Sequence, residues 1–203
     1  QSTDFLTDLW DGSFQIRLTA PTQRPLFVNT NEEFLIEAET PVTADFDLFV
    51  NDVLVSEQNG ITEFSFSHTV TETSGSGDIR IVANSGASSS EVSFQYLIPA
   101  NSPVVARPAG IISGINYHQG DDTKVTLCLL APGKTSVYVR GDFSDWNVAP
   151  ENLMNKDGEF FWIELSGLTP NAEYGFQYMV DETLFIADPY ADKILVPDDQ
   201  YIP

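Results

Sequence analysis

The run Val137-Tyr138-Val139-Arg140-Gly141-Asp142-Phe143-Ser144-Asp145-Trp146 carries the most chemical information in the chain. Its first half reads as a strand and its second as a short polar turn that ends on a tryptophan. An indole in such a turn needs something flat and apolar to lie against. That partner is either the domain's own core or a ligand with an apolar face. A sugar ring is one such ligand, so carbohydrate binding is the first chemistry this segment suggests.

Other chemistries find less support. Glycoside hydrolysis needs two facing carboxylates on a rigid scaffold. With 30 acidic residues in the chain, some pair always looks suitable, so a pair by itself decides nothing. The G-x-S-x-G signature of a serine nucleophile is absent, as is a glycine-rich phosphate cradle. His68 and His118 have no second His or Cys at ligand spacing, which argues against zinc. Asp121-Asp122 and Asp198-Asp199 could hold calcium, but acidic pairs in loops are usually just solvated. No catalytic residue, metal or cofactor is therefore expected. The one cysteine, Cys128, lies in the apolar run Val125-Thr126-Leu127-Cys128-Leu129-Leu130 and reads as a buried, inert thiol.

The elements that must position these residues are strands. Helical periodicity is scarce, and β-branched and aromatic runs recur between Gly, Pro, Asn, Asp and Ser clusters. In the first half strands are predicted near 14–19, 33–39, 45–50, 53–56, 62–70, 78–83 and 90–96. Phe64, Phe66 and Val70 share one face of such a strand, as do Phe46, Leu48 and Val50. Asn51-Asp52 fits a tight hairpin turn, and the Ser/Gly-rich stretch 84–90 a hairpin loop. The second half repeats the pattern near 110–116, 123–131, 135–140, 159–165, 172–180 and 183–187. Between them 99–108, with prolines at 99, 103 and 108, reads as a linker. The expected fold class is all-β: two tandem immunoglobulin-like β-sandwiches, at 1–100 and 104–203.

Charge narrows the partners. With 9 Lys+Arg against 30 Asp+Glu the net charge is -21, a field that repels phosphate backbones and anionic lipid. Nucleic acid is not an expected partner, whereas neutral glycans are compatible. No apolar stretch is long enough to span a bilayer. The chain shows no leader of its own, so either the protein is cytosolic or a signal peptide is already absent, and its start at Gln1 reads as a mature or excised form.

Five motifs then follow one another in order: Gly141-Asp142-Phe143-Ser144-Asp145-Trp146, Asp157-Gly158-Glu159-Phe160-Phe161-Trp162, Leu165-Ser166-Gly167-Leu168-Thr169-Pro170, Tyr174 to Asp181, and Ala187-Asp188-Pro189-Tyr190-Ala191. Together they resemble the early-set β-sandwich of the isoamylase N-terminal type, a family 48 carbohydrate-binding module, over roughly residues 105–203. The stretch 188–195 is similar to the segment that leads such modules into the catalytic barrel of α-amylase-superfamily enzymes, glycoside hydrolase family 13. The first half resembles only a generic immunoglobulin-like accessory domain.

The resemblance implies a non-catalytic N-terminal region of a secreted or cell-surface enzyme acting on starch or pullulan. Its partners would be the catalytic barrel of the same polypeptide and, weakly, α-glucan. The family's platform Trp corresponds to Trp146 and an assisting polar strand residue to Gln177. The second platform Trp corresponds to Leu184, a departure that weakens the expected site. Other roles stand beside these. Trp146 could cover the sandwich edge or plug the barrel, and Gln177 could be an ordinary solvent-facing residue. Trp162 reads as packing, and Trp10 as either packing or ligand contact. A purely structural spacer that binds no sugar is the alternative to a glucan-binding module.

Overall fold

A computed structural model of the chain describes residues 14–191 and 193–194. Trp10 and Asp198-Asp199 lie outside the described residues. Among those described there are thirteen strands and no α-helix, so the expected all-β class holds. The chain divides into two compact units, Gln1–Ile98 and Pro99–Pro203.

The first unit contains β1 (Arg17–Ala20), β2 (Leu26–Phe27), β3 (Glu33–Val50), β4 (Val53–Thr69), β5 (Ser76–Ser85) and β6 (Ser88–Leu97). Asn51 and Asp52, both at positive φ, make the expected tight turn between β3 and β4. Four predicted strands are here two long ones. The strand pattern in the sequence breaks at 40–44, yet the chain stays extended there while the β3–β4 register slips on either side of Ala44. Pro41, which has no N–H to give a ladder, falls within the slipped stretch. The slips separate the hairpin into two halves. The first half of β3 pairs with β1, and its second half pairs with β5. Phe46 from one half of the hairpin and Phe64 from the other stack at 5.4 Å inside the core. The β5–β6 hairpin turns at Gly86, at positive φ, within the predicted loop. The two-residue β2, parallel to β6, is too short to leave a periodic signal.

The second unit contains β7 (Gly114–Tyr117), β8 (Val125–Leu130), β9 (Val137–Gly141), β10 (Asn155–Asp157), β11 (Phe160–Leu165), β12 (Phe176–Val180) and β13 (Leu184–Ile186). One sheet runs β10-β11-β8-β7 and the other β13-β12-β9, all antiparallel. Leu127, Leu129, Phe161 and Ile163 of the first sheet meet Val137, Val139, Tyr178 and Val180 of the second in one core. Residues 110–113 and 172–175, predicted as strand, lie outside the ladders. Polar β10 leaves no signal in the sequence, because Asn155-Lys156-Asp157 shows no apolar alternation.

The expected linker is bonded to this second unit. Lys156 N–H donates to the Pro103 carbonyl at 2.7 Å, and Val105 N–H donates to the Lys156 carbonyl at 2.9 Å. Trp162 Nε1 donates to the Val105 carbonyl at 2.9 Å, which ties this half-buried indole to the segment before β7. The Arg107 guanidinium lies 3.6 Å from the Phe160 ring centroid and pairs with Asp157 at 3.2 Å. Cys128 is buried and free, and burial raises its pKa.

Candidate functional site

The polar turn that follows β9 begins where a side chain cannot fit. Gly141 is extended, but a Cβ there would collide with the Gly175 carbonyl and approach Phe143 and Phe176 to 2.9 Å. The chain then makes a single 3-10 turn, Asp142–Ser144. The Ser144 hydroxyl accepts the Gly141 N–H at 3.2 Å, and Trp146 N–H returns to the Gly141 carbonyl at 2.9 Å. Asp145 and Trp146 are both at positive φ, 48° and 59°. For a bulky side chain this is a strained backbone, held only where its surroundings over-determine it.

Asp142 supplies that constraint. Its Oδ1 accepts Trp146 Nε1–H at 2.8 Å, and its Oδ2 accepts the Gly175 N–H. One carboxylate thus ties the indole edge to the loop before β12. The indole rests close over Gly175, where an added Cβ would lie 3.1 Å from Trp146 Cζ2. Trp146 remains 41% exposed. It is neither in the module's core nor free to wander.

The neighbouring face of the second sheet carries the remaining parts. Arg140 and Gln177 are cross-strand partners on β9 and β12, pointing away from core residues Val139 and Tyr178. The two ends of an amide are distinguished by their bonding, and here the bonding is decisive. With its oxygen toward the guanidinium, Gln177 accepts Nε–H at 3.0 Å and Nη2–H at 2.7 Å from Arg140. The Arg140 guanidinium carbon lies 3.9 Å from the Phe185 ring centroid and 5.9 Å from that of Trp146, both within cation–π range. Among the described residues no carboxylate pairs with Arg140. Trp146 and Gln177, singled out from sequence, therefore border one patch through Arg140.

The residues 113–191 match carbohydrate-binding module 48, the isoamylase N-terminal domain. Within this matched stretch Leu184, expected at the second platform position, is 52% exposed and pairs with Val180, on the parity of the core residues. Phe185 has the opposite parity and puts its ring against Arg140. Sequence reasoning missed both Arg140 and Phe185. The signal for Phe185 was strand alternation counted back from Ile186; Arg140 had none beyond its register with Gln177.

No curated protein matches the chain. Solved structures with similarity include the fibronectin(III)-like modules of Clostridium thermocellum CbhA, 18% identical, covering 41% of this chain and 94% of that one, TM-score 0.29. Bacteroides uniformis β-glucuronidase 3 is 9% identical, with 88% of this chain and 25% of that chain covered, TM-score 0.35. The Group B Streptococcus pullulanase SAP in complex with maltotetraose is 14% identical, with 88% and 23% covered, TM-score 0.32. The chain thus spans about a quarter of the length of these two enzymes.

Other candidate residues are engaged locally. Asp121 Oδ1 accepts the Thr123 N–H at 3.1 Å and its hydroxyl at 2.6 Å, closing its own turn. The ring of His118 meets the Thr126 hydroxyl at 2.9 Å. Among the described residues no three His, Cys, Asp or Glu side chains gather as a metal centre.

Proposed function

We propose that this chain is the non-catalytic N-terminal accessory region of a secreted starch- or pullulan-acting glycoside hydrolase, and that its second unit binds α-glucan weakly. The match of 113–191 to a carbohydrate-binding module supports the general class. The observation that carries the binding role is Trp146 itself, exposed in a strained turn and fixed by Asp142 beside Arg140 and Gln177. A glucan presents apolar ring faces and hydroxyl edges, and this patch offers an aromatic surface with donors next to it. One platform contributes roughly 1–3 kcal/mol by analogy with base stacking, which alone gives affinities on the order of millimolar or weaker. Support of a catalytic barrel in the same polypeptide would be the unit's second role.

Isothermal titration with maltoheptaose tests the binding role. The wild-type chain is expected to give weak saturable heat, and Trp146→Ala to remove it. A wild-type titration with no heat at tens of millimolar sugar would sink the glycan role. It would leave a structural spacer, the reading favoured by Leu184 at the second platform position.

A further inference from the structure

We infer that Arg140 is the specificity-setting residue of the Trp146 patch: it fixes the Gln177 amide so that the site presents hydrogen-bond donors and reads the acceptor oxygens of a neutral α-glucan. This inference rests on the glycan-binding role proposed above. Its basis is the directionality of the bonds around the patch. An amide can offer a ligand either its carbonyl or its NH2, and the choice is usually open. Here the carbonyl oxygen is held by two guanidinium N–H groups at 3.0 and 2.7 Å, leaving the NH2 as the end Gln177 can offer. Of the turn's two carboxylates, Asp142 accepts from Trp146 Nε1–H and Gly175 N–H, and Asp145 is exposed. The guanidinium has five N–H donors and no acceptor, and Gln177 engages two of its three nitrogens. The Arg140–Gln177 pair therefore shows a ligand donors.

The guanidinium is also held in place. It stands over Phe185 at 3.9 Å and reaches the Trp146 ring at 5.9 Å, so two aromatic rings and one amide define its position. Preorganised in this way, it loses less side-chain freedom on binding. It also covers Phe185, which then acts as a support for the cation, while Arg140 takes the place of a second stacking platform. Among the described residues Arg140 has no carboxylate partner, as an anion site would, but the chain's net charge of -21 opposes anionic ligands. Sugar hydroxyl and ring oxygens are acceptors without charge and meet no such opposition.

Two substitutions separate donor presentation from mere structure. Arg140→Met keeps an unbranched stem on Phe185 but removes the donors. Gln177→Glu keeps an oxygen for Arg140 and gains an ion pair, yet removes the NH2. Titration of the full chain with maltoheptaose, followed by amide NMR shifts, is expected to show about three- to tenfold weaker binding for each, the effect of one or two lost neutral hydrogen bonds. Wild-type affinity should change little between low and high salt, as for a neutral ligand. Unchanged affinity in Arg140→Met, or equal or tighter binding in Gln177→Glu, overturns the inference while leaving the glycan role standing. Binding that weakens steeply with salt overturns the neutral-ligand assignment. No wild-type binding at all overturns the glycan role and this inference together. Wild-type-like spectra for both variants outside the patch establish that the losses are local.

Discussion

Gly141 is a residue whose role comes from space and not from φ. Its backbone is extended, a conformation any residue adopts, but a methyl group there would enter the Gly175 carbonyl and crowd Phe143 and Phe176. Relief would require β9 to separate from the loop before β12, the contact on which the Asp142–Trp146 tie depends. Gly141→Ala is expected to destabilise the second unit by about 1–3 kcal/mol, the usual effect of overpacking, as read by urea denaturation. An unchanged midpoint would mean that the loop yields freely and that the turn is not rigidly built. At this scale the sequence was half legible. Trp146 stood out because a large aromatic in a polar turn conflicts with its surroundings. Arg140 and Phe185 did not, because an Arg or Phe in a strand is ordinary until register shows which face it joins. The alignment of the second platform with Leu184 followed motif order, whereas the face is decided by parity within a three-residue strand.

Turns, at the scale of elements, show how a few polar residues lock strands together. Asp181, at positive φ between β12 and β13, reaches back to the start of β9. Its Oδ1 accepts the Thr135 N–H at 2.9 Å, the Thr135 hydroxyl at 3.0 Å and the Ser136 N–H at 3.2 Å, and Lys134 pairs with it at 3.2 Å. These donors, the Thr135 N–H foremost, hold its carboxyl down to about 2. In the unfolded chain the group titrates near 3.9, so its stabilisation is complete above about pH 4 and is lost as pH falls through about 2. Asn tolerates the same backbone and keeps an oxygen acceptor, but lacks the charge. Asp181→Asn is expected to cost about 1 kcal/mol at pH 7, the difference between charge-assisted and neutral bonds. Thermal denaturation between pH 7 and pH 3 should show the gap narrowing toward the acid end; a constant gap would locate the effect outside ionisation. Asn51-Asp52 was readable as a turn because its residues favour positive φ. The continuous course of β3 through Pro41 was not, because it depends on a bulged register with β4 that only the folded pairing sets. The 99–108 segment misled for the same reason: prolines mark an absent ladder, and Pro103 joins this one through its carbonyl alone.

For the whole molecule, the central fact is that each unit has a core of its own. Among the described residues the first cluster draws on 14–98 and the second on 115–186. Composition and strand spacing made the all-β class legible, since two sandwiches suit 203 residues of this pattern. Closed cores predict two separable unfolding transitions, and substitutions in one unit should leave the other's transition in place. In the first unit the Tyr96 hydroxyl donates to Glu72 at 2.6 Å and meets the His68 ring at 3.3 Å, while its ring occupies the space over Gly77. Burial and the Glu72 carboxylate push the Tyr96 pKa well above its ordinary value, so the group acts as a neutral donor at any working pH. Tyr96→Phe keeps the ring and removes the donor, with an expected loss of about 1 kcal/mol, or roughly 4–8 °C for a unit of this size. Differential scanning calorimetry should then move one transition with Tyr96→Phe and the other with Asp181→Asn, and the double variant should reproduce both shifts additively, as independent sites do. A single transition displaced by both changes would show that the units unfold cooperatively despite their separate cores.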